Sequence, residues 1–357
     1  MKVAIRTDAS VTIGSGHVMR CLSLAGELAA RGAQIHFVCR DLPDHLRSML
    51  ASHGHALAPL RGEPANAAPS RQTETPWPEA AQAGDSRDTL TVLASHGPFD
   101  WIAVDHYAAG QPWEESVVPL GARRLAVDDL GRTHACELLL DQNLYPEGAA
   151  RYDGRVNDSC TRLVGPHFAL LRPEFRAAHE AARVRVGPVT RLLIFIGGMD
   201  ASNVTMTALR AIGHLTGPLP AIDVVIGPTH PARNDVEAAC TRLGAICHIQ
   251  TSDMASLCAR ADLAIGAGGS ATWERCTTGL PALVLAVAAN QREIARNGDK
   301  FGLHRFADID TQDDKALADH LRSLMADDAL RTRFSRRALT TVDGRGSERV
   351  AQAMETP

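Results

Sequence analysis

Near the amino terminus, Arg6, Asp8 and Ser10 precede the run Ile13-Gly14-Ser15-Gly16-His17, and Met19-Arg20-Cys21 follow it. Gly14 and Gly16 let the backbone approach a ligand closely, and a helix that starts at such a turn favours an anion at its first residues. A histidine placed there titrates near working pH, so His17 can take a proton from water without a metal. His17 is therefore the candidate general base, and Arg6, Asp8, Gly14, Gly16 and Arg20 are candidates for substrate contact. The plain alternative is a histidine that packs or caps. The glycine turn is not a GxGxxG fingerprint, so no nicotinamide cofactor follows from it.

A second constellation is Ala267-Gly268-Gly269-Ser270, followed by Trp273 and Glu274. Successive backbone N–H groups at Gly268, Gly269 and Ser270 can hold a diphosphate, and Glu274, one turn inside a helix, can accept from ribose hydroxyls. The alternative for Glu274 is an ordinary solvated helix position. Asp105-His106-Tyr107 and Asn290-Gln291 are polar tips that follow apolar runs, where side chains point toward a ligand or simply close turns. Asp128-Asp129 and Gly197-Gly198-x-Asp200 have the same two readings. The paired aspartates lack the further oxygen ligands that a divalent ion needs, so no metal is expected.

These residues need a framework. Lys2–Asp8 reads as a strand, the spacing of Val18, Cys21, Leu22, Ala25, Leu28 and Ala29 as a helix stopped at Gly32, and Gln34–Cys39 as a second strand, which together make a βαβ unit. Strand-like runs return at 101–105, 124–127 and 138–141. A new series opens at 191–196 and continues with strands at 223–226, 247–249 and 263–266, separated by helices. The expectation is an α/β chain with two Rossmann-like domains of parallel strands facing across a cleft: an N-terminal domain over 1–175, a linker over 176–190 and a C-terminal domain over 191–357. The Pro- and Ala-rich stretch 61–87 reads as an exposed, peripheral connection.

The 357 residues exceed what one core usually fills, in keeping with two domains. A net charge of −4 gives no general field for nucleic acid or anionic lipid, and no apolar run is long enough to span a bilayer. Eight scattered cysteines without a CxxC pair suit a reducing, cytoplasmic setting.

Taken together, RTDASVTIGSGHVMRCLSLA, VDHY, AVDDLGRTHACELLLDQN, LVGPHFALLRPEF, FIGGMDASN and GAGGSATWERCTTGLPALVLAVAANQ resemble the UDP-2,4-diacetamido-2,4,6-trideoxy-beta-L-altropyranose hydrolases of pseudaminic acid biosynthesis, a route to flagellin glycosylation. The blocks occur in family order from residue 2 to about 306. The resemblance implies a GT-B type fold, metal-independent hydrolysis without a cofactor, and water attack at the anomeric carbon with inversion. It places His17 on the catalytic histidine, Tyr107 and Asn290 on positions that hold the water and sugar, and 268–274 on the UDP-binding element of related transferases. Gln291 joins the candidate substrate contacts. The implied partner is a UDP-linked diacetamido-trideoxyhexose, with no nucleic acid or membrane. A glycosyltransferase with a sugar or lipid acceptor, and a nucleotide-sugar binding module without turnover, are the competing readings.

Overall fold

The computed structural model describes residues 1–10, 13–62 and 76–356, apart from the side chains of Ala289 and Asn290. The chain forms two compact units, each built on one parallel sheet. In the first, strands β1 (Lys2–Thr7), β2 (Gln34–Cys39), β3 (Ala56–Pro59), β4 (Trp101–Asp105), β5 (Arg123–Val127), β6 (Leu138–Asp141) and β7 (Thr161–Val164) lie in the order 3-2-1-4-5-6-7. In the second, β8 (Arg191–Phe195), β9 (Ala221–Ile226), β10 (Ile246–Ile249), β11 (Leu263–Ala267), β12 (Ala282–Leu285) and β13 (Arg305–Ala307) lie in the order 10-9-8-11-12-13. The expected fold class, α/β with two Rossmann-like units, is the one observed.

Strand composition explains the layering. In β1 the side chains of Val3, Ala4 and Ile5 are all fully buried, which requires helices on both faces of the sheet. Val3 and Ile5 pack on Val18, Cys21, Leu22, Ala25 and Leu28 of the helix Gly16–Ala30, while Ala4 faces a second core that contains Trp113 and Tyr152. The C-terminal helix Gly346–Glu355 adds Val350, Ala351 and Met354 to the first of these cores, and Trp101 Nε1 donates to the Met354 carbonyl at 2.9 Å. The second unit is centred on Ile194, Val224, Ile265 and Leu283.

Three expectations need correction. The first unit runs from Met1 to Leu170 and regains the chain at Gly346, so the C-terminal helix belongs to it and not to the second domain. The stretch expected to be a linker over 176–190 begins inside a helix, Pro173–Ala181, which belongs to the second unit (Leu171–Arg345). Finally, 61–87 is not peripheral throughout. Residues 63–75 lie outside the described part, but Glu79–Ala94 is a helix whose Ala81, Gln82, Asp85, Ser86, Thr89 and Leu93 are buried. Their spacing is helical, but most of them are polar, so hydropathy conceals the element.

Asp85 is the reason that a polar face can be buried. It is fully enclosed and receives Arg6 in a bidentate pair, Nε at 2.9 Å and a terminal nitrogen at 2.8 Å. Arg40 at 3.0 Å and Trp113 Nε1 at 2.9 Å complete its shell. Removing one partner of a buried pair strands the other charge, at a cost of about 3–5 kcal/mol. Asp85→Ala is accordingly expected to lower the unfolding free energy in guanidinium titrations at pH 7 by roughly that amount, whereas Asp88→Ala, at a half-exposed position, changes it by less than about 1 kcal/mol.

Candidate active site

The parallel register brings polar strand ends together in the first unit. Thr7 pairs with Asp105 across β1 and β4, so the turn after β1 and the tip of β4 are neighbours. Gly14 has φ +81°, a left-handed conformation that a side chain would strain, and its N–H bonds the Ser10 carbonyl at 2.8 Å. That turn leads into the helix at Gly16 and places His17 one residue inside it.

His17 Nδ1 lies 2.6 Å from Asp105 Oδ1. Arg20 Nε and a terminal nitrogen each reach Asp105 at 2.5 Å, and the same terminal nitrogen lies 3.2 Å from His17 Nδ1. A guanidinium only donates, and an unprotonated Nδ1 would set its lone pair against the carboxylate. The proton therefore sits on Nδ1 and is donated to Asp105. Nε2 is left as the acceptor, and it has no partner among the described residues. Burial opposes a charge on Asp105, but Arg20 and then His17 outweigh it, so the carboxyl stays well below its usual range.

Asp129, at the end of β5, completes the group. It accepts from Arg20 at 3.3 Å and from the Tyr107 hydroxyl at 2.9 Å, and the Tyr107 ring meets the His17 ring edge-to-face with centroids 4.5 Å apart. Burial and then the charge of Asp129 push the Tyr107 phenol well above its ordinary value, so it serves as a neutral donor.

Of the sequence candidates, the structure brings together His17, Arg20 and Tyr107. It removes Arg6 from ligand reach: the side chain is fully buried and committed to Asp8 and Asp85, so its expected substrate contact is corrected to a structural pair. Asp8 is likewise enclosed, accepting from Arg6 and from the Arg40 N–H at 2.7 Å, with His106 Nε2 at 3.3 Å. Asp105 and Asp129, which the sequence leaves as either ligand-facing or turn residues, instead bond His17, Arg20 and Tyr107. Both were visible as strand-end aspartates, but nothing in the spacing distinguished an orienting carboxylate from a turn residue.

A separate buried network lies behind this group. His134 Nδ1 is 2.6 Å from Glu114, its Nε2 is 3.5 Å from Asp128, and the Tyr152 hydroxyl lies 3.0 Å from Asp128 and 2.8 Å from Asp141.

In the second unit, Gly268 and Gly269 lie against the helix Ala289–Lys300: a Cβ on Gly268 would meet the Gln291 carbonyl at 3.1 Å, and one on Gly269 the Gln291 amide at 3.4 Å. Gln291 is thus brought to the glycine pair, and its Oε1 accepts from the Val287 N–H at 3.3 Å. Ser270 precedes the short helix Ala271–Thr277. Glu274, mostly buried on that helix, pairs with Arg172 at 3.3 Å, and burial raises its carboxyl despite the arginine. The side chain of Asn290 lies outside the described residues. Among the described residues no group of three or more His, Cys, Asp or Glu has a metal-binding arrangement, and no helix is long and apolar enough to cross a membrane.

No protein-family model matches the chain. It is 28% identical over 207 residues to the UDP-2,4-diacetamido-2,4,6-trideoxy-beta-L-altropyranose hydrolase of Campylobacter jejuni, a match that covers 58% of this chain and 64% of that one. It is 33% identical over 175 residues to a UDP-N-acetylglucosamine--N-acetylmuramyl-(pentapeptide) pyrophosphoryl-undecaprenol N-acetylglucosamine transferase of Acidithiobacillus ferrooxidans, covering 47% of this chain and 48% of that one. The chain therefore spans less than two thirds of the curated relatives it matches. Among solved structures, Acinetobacter baumannii MurG superposes with a TM-score of 0.66 at 15% identity, covering 99% of both chains. The fold is GT-B-like.

The buried network has a measurable signature. Burial, aided by the charge of Asp129, raises Asp141 to about 7, so the folded chain keeps a proton there that the unfolded chain has already released. The stability this adds is present in acid and is lost as pH rises from about 4 to 7. Burial opposes a charge on His134, but Asp128 and Glu114 outweigh it and raise the group to about 9, so its contribution is complete below about 6.5 and is lost as pH climbs through 9. Urea midpoints of the wild type should fall between pH 5 and 9. Asp141→Asn should flatten the acidic half of that fall and give a higher midpoint than wild type at pH 8.

Proposed function

We propose that the chain hydrolyses a UDP-linked, N-acetylated deoxy-sugar, namely UDP-2,4-diacetamido-2,4,6-trideoxy-beta-L-altropyranose, to UDP and 2,4-diacetamido-2,4,6-trideoxy-L-altrose with inversion, as a step of pseudaminic acid biosynthesis. The observation that carries this reading is the 2.6 Å pairing of His17 Nδ1 with Asp105, which aims an unprotonated Nε2 away from the carboxylate. The likeness to the Campylobacter jejuni hydrolase supports the choice of substrate.

In the reaction, a water oxygen attacks the anomeric carbon while the bond from that carbon to the diphosphate oxygen breaks. The electron pair leaves with UDP, and the water proton goes to His17 Nε2. UDP is already a good leaving group, so little acid catalysis is required. Asp105 fixes the tautomer and takes up the charge that forms on the ring, in the manner of an orienting carboxylate beside a histidine base. Tyr107 and Asn290 are assigned to holding the water and sugar. Gly268, Gly269, Ser270, Glu274 and Gln291 are assigned to the nucleotide, with Glu274 on the ribose. The remaining assignments to substrate contact are Gly14, Gly16 and Arg20.

A glycosyltransferase is the second reading, favoured by the 33% identity to a transferase. It requires an acceptor, so UDP release from the donor in water alone separates the two. His17→Ala should lower turnover by about 10²- to 10⁴-fold with little change in UDP affinity. Glu274→Ala should weaken UDP binding by calorimetry, and an unchanged dissociation constant removes the ribose assignment. In H₂¹⁸O the label should enter the sugar; label on the nucleotide phosphate would overturn attack at carbon.

A further inference from the structure

The side chains around His17 form an enclosed charge set that can be counted. His17, Arg20, Asp105 and Asp129 are 5%, 6%, 1% and 7% exposed. Among the described residues, the polar groups in contact with this set include the Tyr107 hydroxyl and the Cys21 thiol, which donates to Asp105 at 3.4 Å, and Asp141 lies within reach of the Asp129 charge. The phenol and the thiol are neutral, because burial pushes both well above their ordinary values. With a neutral imidazole, two carboxylates and one guanidinium leave a single negative charge. When His17 gains a proton the set becomes neutral. Asp105 alone would be cancelled by Arg20, which grips it at 2.5 Å through two nitrogens. Without Asp129, a protonated His17 would therefore leave a net positive charge in the interior, where an uncompensated charge is costly.

We propose that Asp129 is a positioning residue for His17, one that acts through Arg20 and Tyr107 to let the imidazole accept a proton without charging the interior. The inference rests on the hydrolytic reading for its purpose but not for its test. Asp129 does not touch the ring. It receives Arg20 at 3.3 Å and the Tyr107 hydroxyl at 2.9 Å, and the Tyr107 ring abuts the imidazole at a centroid separation of 4.5 Å. Its two effects are separable. The hydrogen bonds fix where Tyr107 and Arg20 lie, and the charge sets how readily His17 takes a proton.

Asp129→Asn distinguishes them, since the amide oxygen still accepts from Tyr107 and Arg20 while the charge is gone. The experiment is a ¹⁵N-histidine NMR titration of the full chain from pH 5 to 9 without substrate, with the His17 ring signals assigned by their loss in His17→Gln. Relative to wild type, the midpoint of His17 proton uptake in Asp129→Asn should fall by about one pH unit, the size expected for removing a nearby opposite charge. In Asp129→Glu, which keeps the charge, it should stay near the wild-type value. If Asp129→Asn does not fold, Asp129→Ser is the second neutral variant, with the same expected fall. An unchanged or higher midpoint in a folded neutral variant overturns the proposal. This readout is independent of turnover, so failure to release UDP would sink the hydrolase reading alone. Where the enzyme does hydrolyse its substrate, the ascending limb of kcat/KM against pH moves to lower pH in Asp129→Asn and not in Asp129→Glu.

Discussion

The first unit is organised by the need to keep carboxylates charged inside a protein. Asp8, Asp85, Asp105 and Asp128 are all at most 3% exposed, and burial alone would drive each of them to hold a proton. Each instead stays below its ordinary range because a cation faces it: Arg6 for Asp8 and Asp85, Arg20 for Asp105, and His134 with Arg132 for Asp128. Three of the seven strands of the sheet, β1, β4 and β5, end in or next to such a group. The exception shows the rule. Asp141 has hydroxyl and amide partners but no cationic one among the described residues, and its carboxyl rises to about 7.

This constraint accounts for features that hydrophobic packing does not. The helix Glu79–Ala94 presents Gln82 and Asp85 to the interior because the Arg6 and Arg40 charges and the backbone of Gly110 and Trp113 need acceptors there. It also explains why Arg6, near the C-terminal end of a strand otherwise lined by Val3, Ala4 and Ile5, is tolerated with no exposure at all. A guanidinium faced by two carboxylates, bidentate on Asp85, can be enclosed even though one of its terminal nitrogens makes no hydrogen bond and meets Asp8 at 2.7 Å by charge alone.

The same constraint marks the limit of what the sequence makes legible. The βαβ start, the continuous apolar runs of β1, β4 and β8, and the glycine turn before His17 can be read directly, since parallel buried strands and tight turns leave compositional traces. The short strands β3, β7, β12 and β13 leave little trace: three or four residues do not establish a period, and Ala282–Leu285 reads equally well as any buried segment. The return of the C-terminal helix to the first unit is invisible for a different reason, because an apolar stripe at Val350, Ala351 and Met354 does not specify which core receives it. At the site, residue types pointed to His17, Glu274 and the glycine pairs. Their partners were not legible, because Asp105 and Arg20 are 85 positions apart and only register joins them.

What fixes the imidazole is therefore a layered arrangement and not a single pair. Arg132 gives its backbone N–H and Nε to Asp128 at 2.9 and 2.8 Å, and a terminal nitrogen of the same side chain donates to the Tyr107 carbonyl at 2.5 Å. One guanidinium thus ties the turn that carries Asp129 to the backbone of the residue whose hydroxyl Asp129 receives. The Tyr145 hydroxyl holds the Asp129 carbonyl at 2.9 Å from another direction. Of the groups that touch His17, Asp105 is held by Arg20, Arg20 by Asp129 as well, and Tyr107 by Asp129 and Arg132, and charge-assisted bonds of this kind are short and directional. The role proposed for His17, a base that meets a water within a few tenths of an ångström, gains more from such support than from any one contact, because an error in the outer layer is passed inward to the ring.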